Sequence, residues 1–181
     1  KCGVNCKIVN DYCSFGYMGS GKSSVGKLLA NRLNAEFIDL DCYIEKQQAS
    51  SIPNLFETKG ALEFRDIERK AVFEICNSHS NLVLALGGGT PCYGDILPYL
   101  LSHSNIFTVY LKASVNSLTK RLITDKSNRP LIANIPDEKL SDFIGKHLFE
   151  RSAFYTQAEL TIEVSSMQID QIVQEINSAL N

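Results

Sequence analysis

The sequence predicts an α/β fold, in which a parallel sheet is covered by helices on both faces. Short apolar runs of strand length recur along the chain, and helical patterns separate them. A parallel connection has to cross over the sheet, and a helix usually makes that crossing. The length of 181 residues suits one well-formed core, so we expect a single domain over residues 1–181. The apolar runs are Phe37 to Leu40, Leu82 to Leu86, Ile106 to Leu111 and Leu160 to Val164.

The remaining elements follow in chain order. A first strand is expected from Asn10 to Phe15, although Asn10, Asp11 and Ser14 are polar for a buried parallel strand. Ser114 is placed to cap a later helix, and Ile169 to Leu180 forms the last helical pattern. The earlier helical patterns are carried by Val25, Leu28, Leu29 and Leu33, and by Val115, Leu118 and Leu122.

The composition argues against several other classes of protein. Hydrophobic residues make up 44% and charged residues 21%, and the formal net charge of −2 is spread without long runs of one sign. This charge pattern does not suggest a nucleic-acid partner. A membrane partner is not expected either, because no apolar stretch approaches the roughly 18 to 20 residues of a membrane span. The six cysteines form no C-x-x-C pair, which favours reduced thiols. We expect a cytoplasmic protein.

One segment carries a specific chemical signal. Residues 16–23, Gly-Tyr-Met-Gly-Ser-Gly-Lys-Ser, fit the phosphate-binding pattern G-x-x-x-x-G-K-S/T between a strand and a helix pattern. The glycines let the backbone wrap phosphates, and Lys22 adds a positive charge at the β and γ phosphates. A glycine-rich turn without a ligand is the alternative. The predicted nucleotide contacts are Gly19, Ser20, Gly21, Lys22, Ser23 and Ser24, with Ser23 also coordinating Mg²⁺.

The loop alone does not identify a kinase, because switch GTPases and motor ATPases share it. A guanine-reading N-K-x-D segment is not found in the later strands, which argues against a GTPase. Other motifs follow the loop in order. They are Gly16 to Gly26, Asp39-Leu40-Asp41, Ile52 to Glu57 leading to Phe64-Arg65, Gly87-Gly88-Gly89, Arg129-Pro130-Leu131, and Glu150-Arg151 with Tyr155.

Together these motifs resemble the shikimate kinases, from about Gly16 to beyond Arg151. The resemblance implies a P-loop three-layer fold, with a five-stranded parallel sheet flanked by helices and a mobile lid. It also implies transfer of the ATP γ-phosphoryl group to shikimate, with Mg²⁺ required, in aromatic amino-acid biosynthesis. Two departures concern local geometry only: Ala61 stands where the family often has Glu, and Ala153 where it usually has Pro.

Two aspartates lie at the end of the second predicted strand, where α/β sheets place their ligands. Strand alternation is expected to put Asp39 and Asp41 on one side. By resemblance, Asp39 helps to hold Mg²⁺, and Asp41 engages the acceptor hydroxyl as the candidate base. A solvated strand end before a helix N-terminus is the alternative.

The acceptor carboxylate is assigned by resemblance to Arg65 and Arg151, because a guanidinium fork recognises a planar carboxylate through two hydrogen bonds. Acidic neighbours of Arg65, especially Glu68, are placed to hold the fork, although a surface ion pair is the alternative. Three glycines in a row favour close approach of a ligand over a plain tight turn. The resemblance places Gly87, Gly88 and Gly89 along the acceptor site. It also implies an acceptor-binding segment at about residues 42–75.

The polar segment from Thr124 to Pro136 lacks periodicity and is expected to form the lid. A lid excludes water from the γ-phosphate, so that ATP is not hydrolysed. Arg129 within it resembles the arginine that reaches the transferring phosphoryl group. Arg121 resembles the arginine near the adenine, with an exposed helix arginine as the alternative.

We therefore expect a monomeric kinase with ATP as co-substrate, Mg²⁺ as cofactor and shikimate as acceptor. The closest rival is a kinase for another small acceptor, such as gluconate or a nucleoside monophosphate. Such an enzyme would need the loop, but not Arg65, the triple glycine and Arg151 together. A regulatory protein that binds ATP without transferring phosphate is the rival from another class.

Overall fold

A computed structural model describes residues 11–126 and 129–179 of the chain. Asn10 of the predicted first strand, residue 180 of the last helical pattern and residues 127 and 128 of the predicted lid lie outside this part. Five strands form one parallel sheet, as predicted, and the structure gives their order as β2-β3-β1-β4-β5. The strands are β1 (Asp11–Phe15), β2 (Glu36–Asp39), β3 (Leu82–Ala85), β4 (Ile106–Lys112) and β5 (Leu160–Glu163).

Eight α-helices are present in the described residues, together with a short 3₁₀ helix at Thr90–Cys92. The longest of them, α3, is interrupted at Gly60, whose φ of 78° is not helical. The helices are α1 (Lys22–Leu33), α2 (Leu40–Gln48), α3 (Ile52–Ser78), α4 (Ile96–Ser102), α5 (Val115–Thr124), α6 (Pro130–Ala133), α7 (Asp137–Tyr155) and α8 (Ile169–Ser178).

The sheet separates two clusters of buried apolar side chains, because successive strand residues point to opposite faces. Tyr12 of β1 belongs to the cluster that also contains side chains of α1, α5, α7 and α8. Cys13 and Phe15 belong to the other cluster, with side chains of α2, α3 and α4. The two cores confirm the prediction of a sheet covered on both faces.

The polar residues of β1 are buried because they have hydrogen-bond partners in the sheet and its loops. The two carboxylate oxygens of Asp11 accept from the backbone N–H of Leu82 at 3.1 Å and from the amide of Asn105 at 2.9 Å. The hydroxyl of Ser14 donates to the carbonyl of Leu84 at 3.5 Å. Buried polar groups are tolerated when they are paired in this way. The polarity that argued against a buried strand is therefore compatible with one.

Two local expectations differ from the structure. The second strand ends at Asp39, and α2 begins at Leu40, one residue earlier than the apolar run suggested. The predicted lid segment contains a helical turn, α6, in which Ile132 is fully buried.

The predicted cap is present, since the Ser114 hydroxyl accepts from the N–H of Ser117 at 3.2 Å. Among the described residues, no helix has the length and apolar character needed to cross a membrane.

Candidate active site

A cleft of about 300 Å³ opens at the carboxyl ends of β1, β2 and β3. Ligands of open α/β sheets bind at this edge, because the loops that leave the strands converge there. The cleft contains all three residues predicted to be catalytic. Its walls are formed by Met18, Gly19, Gly21, Lys22, Ser23, Ser24, Asp39, Asp41, Leu86, Gly87, Gly88 and Arg129.

The phosphate loop connects β1 to α1 and forms one wall of the cleft. Gly19 and Gly21 have φ of 80° and 98°, a conformation that L side chains rarely adopt, so glycine is needed at both positions. The helix begins at Lys22, directly after the loop, and its N-terminal N–H groups point toward the loop end of the cleft. Ser20 is 2% exposed and does not line the cleft, so any contact with phosphate is expected from its backbone.

Lys22 lies against its own loop. Its Nζ donates to the carbonyl oxygens of Gly16 at 2.9 Å and Tyr17 at 3.0 Å. Burial lowers the pKa of Lys22 to about 8, while the carboxylates of Asp41 and Asp39 act in the opposite direction. The charge is thus held in a poorly hydrated position between the loop and two aspartates.

Asp39 ends β2 and caps α2. One carboxylate oxygen accepts from the N–H groups of Asp41 and Cys42, at 3.2 and 3.4 Å. The other accepts from the hydroxyl of Ser23 at 2.7 Å. The two residues predicted to hold the metal are therefore in direct contact. Both offer oxygen ligands, which Mg²⁺ prefers.

Asp41 lies in the first turn of α2, and not on the strand as alternation had suggested. It nevertheless lines the same cleft as Asp39 and Lys22. Burial, together with the neighbouring carboxylates of Asp39 and Glu68, raises the pKa of Asp41 to about 6, although Lys22 acts in the opposite direction. A carboxyl group with a raised pKa is a stronger base than an ordinary aspartate.

Arg65 of α3 packs against the third glycine of the triplet. A Cβ built on Gly89 would lie 2.6 Å from Nη2 of Arg65, so only glycine leaves the guanidinium in place. Nη1 donates to the carboxylate of Glu68, which is 2% exposed. The second Glu68 oxygen accepts from the hydroxyl of Thr90 at 2.7 Å. Glu68 and Thr90 thus fix the direction of the fork, as the acidic neighbours of Arg65 suggested.

Arg151 approaches the same glycine triplet from α7. Its Nη1 donates to the carbonyl of Gly88 at 3.3 Å, and the Tyr155 hydroxyl donates to that carbonyl as well. Gly88 lines the cleft. The two arginines predicted to bind the acceptor carboxylate therefore meet the same glycine triplet from different helices, although neither lines the cleft itself: Arg65 packs on Gly89 and lines a smaller pocket with Tyr93, next to the cleft residue Gly88 that Arg151 contacts.

The other two predicted arginines lie on the nucleotide side. Arg129 lines the cleft and is paired with Asp125, with Nε 2.9 Å and Nη2 2.8 Å from Oδ2. Arg121 of α5 donates to the carbonyl of Gly19 at 3.1 Å and to that of Val164, after β5, at 3.2 Å. It is half-buried against the phosphate loop, which differs from the exposed helix arginine considered as its alternative.

The sequence did not single out Thr90, Tyr17 or His147, which the structure places next to the site. Thr90 follows the triple glycine directly, and this position was the signal that could have drawn attention to it. Tyr17 and His147 are 130 residues apart and meet only through the fold. No local pattern in the sequence indicates that contact.

Known proteins resemble this chain over most of its length. A family model described as shikimate kinase matches residues 18–181. The shikimate kinase of Flavobacterium johnsoniae is 44% identical over 161 residues, which cover 89% of this chain and 93% of that protein. The crystal structure of shikimate kinase from Bacteroides thetaiotaomicron matches with a TM-score of 0.89 and 35% identity, covering 94% of this chain and 98% of that one.

A third comparison includes a ligand. Shikimate kinase from Acinetobacter baumannii in complex with shikimate matches with a TM-score of 0.85 and 31% identity, covering 96% of this chain and 94% of that one. The family match and the sequence identities agree with the geometry of the site. There the phosphate loop lies beside a glycine wall, Gly87 to Gly89, that Arg65 and Arg151 contact. The chain therefore belongs to the shikimate kinase family, whose members are ATP-dependent kinases that phosphorylate an alcohol group.

Proposed function

We propose that this chain transfers the γ-phosphoryl group of ATP to the 3-hydroxyl of shikimate, giving ADP and shikimate 3-phosphate for aromatic amino-acid biosynthesis. The observation that carries the proposal is the convergence of Arg65 and Arg151 on one glycine triplet, Gly87 to Gly89, which lies beside Asp41 and the phosphate loop. A phosphate loop alone would support any nucleotide-binding protein. A pair of guanidinium groups at the acceptor end favours an acceptor with a carboxylate.

Arg65 and Arg151 are proposed to bind the shikimate carboxylate. Glu68 holds Arg65 through a partly buried hydrogen bond, and the Gly88 carbonyl holds Arg151, so little side-chain freedom remains to be lost on binding. Gly87, Gly88 and Gly89 are proposed to line the acceptor site, and their missing side chains allow Asp41, Arg151 and Arg65 to pack against them. A gluconate or nucleotide acceptor would not require this pair of arginines on the triple glycine.

Asp41 is proposed as the general base that accepts the proton of the attacking hydroxyl. Its carboxylate lies in the cleft between the glycine wall and the phosphate loop: a Cβ on Gly87 would lie 3.1 Å from its Oδ1. With a pKa of about 6, Asp41 is mostly ionised at neutral pH and still basic enough to attract a proton.

Lys22 and Arg129 are proposed to stabilise the transferring phosphoryl group, in which negative charge is spread over the oxygens. Lys22 Nζ donates to two loop carbonyls and would exchange these for phosphate oxygens. Arg129 is held by Asp125 at the edge of the cleft. The backbone N–H groups of Gly19, Ser20, Gly21, Ser23 and Ser24 complete the phosphate site, and Arg121, which braces Gly19, is proposed to lie near the adenine.

Mg²⁺ is proposed to bind at the contact between Ser23 and Asp39. Their oxygens are 2.7 Å apart at the wall of the cleft, so both can face one hard cation and its waters. When bound, Mg²⁺ would neutralise charge on the β and γ phosphates. The cap that Asp39 provides to α2 keeps its carboxylate directed at this position.

The proposal extends to the organisation of the chain. One kinase domain covers residues 1–181, with an acceptor-binding segment at about 42–75 and a lid at about 124–136. The four cysteines among the described residues are free thiols, which suits the reducing cytoplasm in which we place the enzyme. We propose a monomer without nucleic-acid or membrane partners.

The test is a coupled assay of ADP release with Mg²⁺ and ATP. Purified protein is expected to release ADP on addition of shikimate, and not on addition of gluconate or AMP. Stimulation by gluconate or AMP alone would favour the rival kinase. ATP binding without an increment from any of the three acceptors would favour the regulatory protein.

A further inference from the structure

Tyr17 is the first variable residue of the phosphate loop, and phosphate binding by backbone N–H groups does not explain why it is a tyrosine. Its side chain is 1% exposed. It belongs to the same buried apolar cluster as Ile132 of α6 and Leu140 and Ile144 of α7. A residue of the loop is thus packed into the half of the molecule that carries Arg151.

The ring of Tyr17 faces Arg151, which is proposed to bind the shikimate carboxylate. Cζ of Arg151 lies 5.4 Å from the centre of the Tyr17 ring, within the range of a cation–π contact. On another side, the same guanidinium donates to the carbonyl of Gly88 at 3.3 Å. Arg151 is therefore held between an aromatic ring of the phosphate loop and the glycine wall of the acceptor site.

The hydroxyl of Tyr17 makes a second contact with α7. It lies 3.3 Å from Nδ1 of His147, one helical turn before Arg151. Phe143, a further turn back, packs on the His147 ring with centroids 4.1 Å apart. These contacts restrain α7 over the turns that lead to Arg151, because one tyrosine touches two of its successive turns.

We propose that Tyr17 is a positioning residue for the acceptor: its ring holds the Arg151 guanidinium in the direction that receives the shikimate carboxylate. Tyr17 does not touch the reacting atoms. This inference rests on the proposed function, since it requires that Arg151 binds the acceptor. It adds that a residue of the nucleotide loop determines affinity for the other substrate.

The test compares Tyr17→Leu, which removes the ring, with Tyr17→Phe, which keeps it and removes the hydroxyl. Tyr17→Leu is expected to raise the dissociation constant for shikimate about 5- to 20-fold, as expected for a lost cation–π contact and looser positioning. Tyr17→Phe is expected to stay within about twofold of the wild type, and kcat of both within about threefold. Wild-type turnover with shikimate is measured first, so that failure of the proposed function is recognised separately.

A second measurement ties the effect to the carboxylate. The methyl ester of shikimate lacks the charge that Arg151 is proposed to bind, so its affinity should change by less than about twofold in Tyr17→Leu. A general disturbance of the cleft would weaken both ligands equally and would overturn the proposal. Equal loss of shikimate affinity in Tyr17→Phe would also overturn it, because the ring would then not be the positioning group.

Folding of each variant is checked by thermal unfolding, because Tyr17 is buried. Tyr17→Met is the second ring-free variant, since its unbranched side chain adapts to buried positions. It is measured with the same two ligands and replaces Tyr17→Leu if the leucine variant does not fold. Unchanged shikimate affinity in a folded ring-free variant would contradict the inference.

Discussion

The hydroxyl of Ser23 and the carboxylate of Asp39 are 2.7 Å apart, although 16 residues separate them in the chain. Ser23 lies in the first turn of α1, which leaves β1, and Asp39 ends β2. The parallel strands bring both residues to the carboxyl edge of the sheet. Their contact joins the phosphate loop to the segment that carries Asp41.

Asp39→Asn tests the proposed metal site. The asparagine keeps an oxygen that can cap α2, but it removes the charge that attracts Mg²⁺. The Mg²⁺ concentration for half-maximal activity is expected to rise about 10- to 100-fold, which is the usual loss of affinity when a residue that supports a metal site is removed. The melting temperature is expected to change little. Asp170→Asn is the control, because Asp170 pairs with Arg32 at an exposed position. Equal Mg²⁺ requirements in the two variants would argue against the site.

Asp41→Asn tests the proposed base. The substitution keeps the size and one hydrogen-bonding oxygen, but it removes the basic group, so kcat is expected to fall about 10²-fold or more. ADP affinity, measured by titration, is expected to be retained. Asp142→Asn, at an exposed position of α7, provides the matched control. An unchanged kcat for Asp41→Asn would show that no general base is needed there.

Gly89→Ala tests the packing of Arg65 on the glycine wall. The φ of −96° at Gly89 accepts alanine without strain, but the new Cβ would displace the Arg65 guanidinium. Shikimate affinity is expected to fall about tenfold or more, as when a charged hydrogen-bonding group is misplaced, with ADP affinity unchanged.

Gly145→Ala in α7 is the control for this substitution, because a Cβ there meets nothing within 4 Å. It is expected to leave shikimate affinity unchanged and to stabilise the helix by up to about 1 kcal/mol. If both alanine variants bind shikimate like the wild type, Arg65 does not need its present position for acceptor binding.

Arg129→Ala and Arg151→Ala are expected to fail at different steps. Arg151 is proposed to hold the carboxylate in ground and transition states alike, so its loss should mainly weaken shikimate binding. Arg129 is proposed to act on the phosphoryl group, so its loss should lower kcat with a smaller change in shikimate affinity. Titration with shikimate and turnover at saturating substrate separate the two. The reverse pattern would mean that their roles are exchanged.

Most of the fold could be predicted from the sequence, because apolar runs of strand length alternate with helical patterns. The runs beginning at Leu82, Ile106 and Leu160 are strands that start at those residues. β1 was harder, because Asp11 is bound by Leu82 and Asn105 across the sheet. Such partners are distant in the chain, and a local pattern does not reveal them.

The candidate site was predictable where a motif carries the chemistry. Lys22, Asp41 and Arg129 stand in separate motifs and line one cleft. Asp41 was expected on the same side as Asp39 because of strand alternation, and this reason was wrong, since Asp41 lies on a helix and not on a strand. The contact of Tyr17 with Arg151 was not predicted, because it depends on how α7 packs against the phosphate loop.

The most direct test of the central claim is to identify the product by phosphorus and proton NMR after reaction with ATP, Mg²⁺ and shikimate. Our account predicts a single new phosphate monoester on the oxygen at C3 of shikimate, formed in the same amount as ADP. Inorganic phosphate with unchanged shikimate, or a phosphate on another hydroxyl, would contradict it.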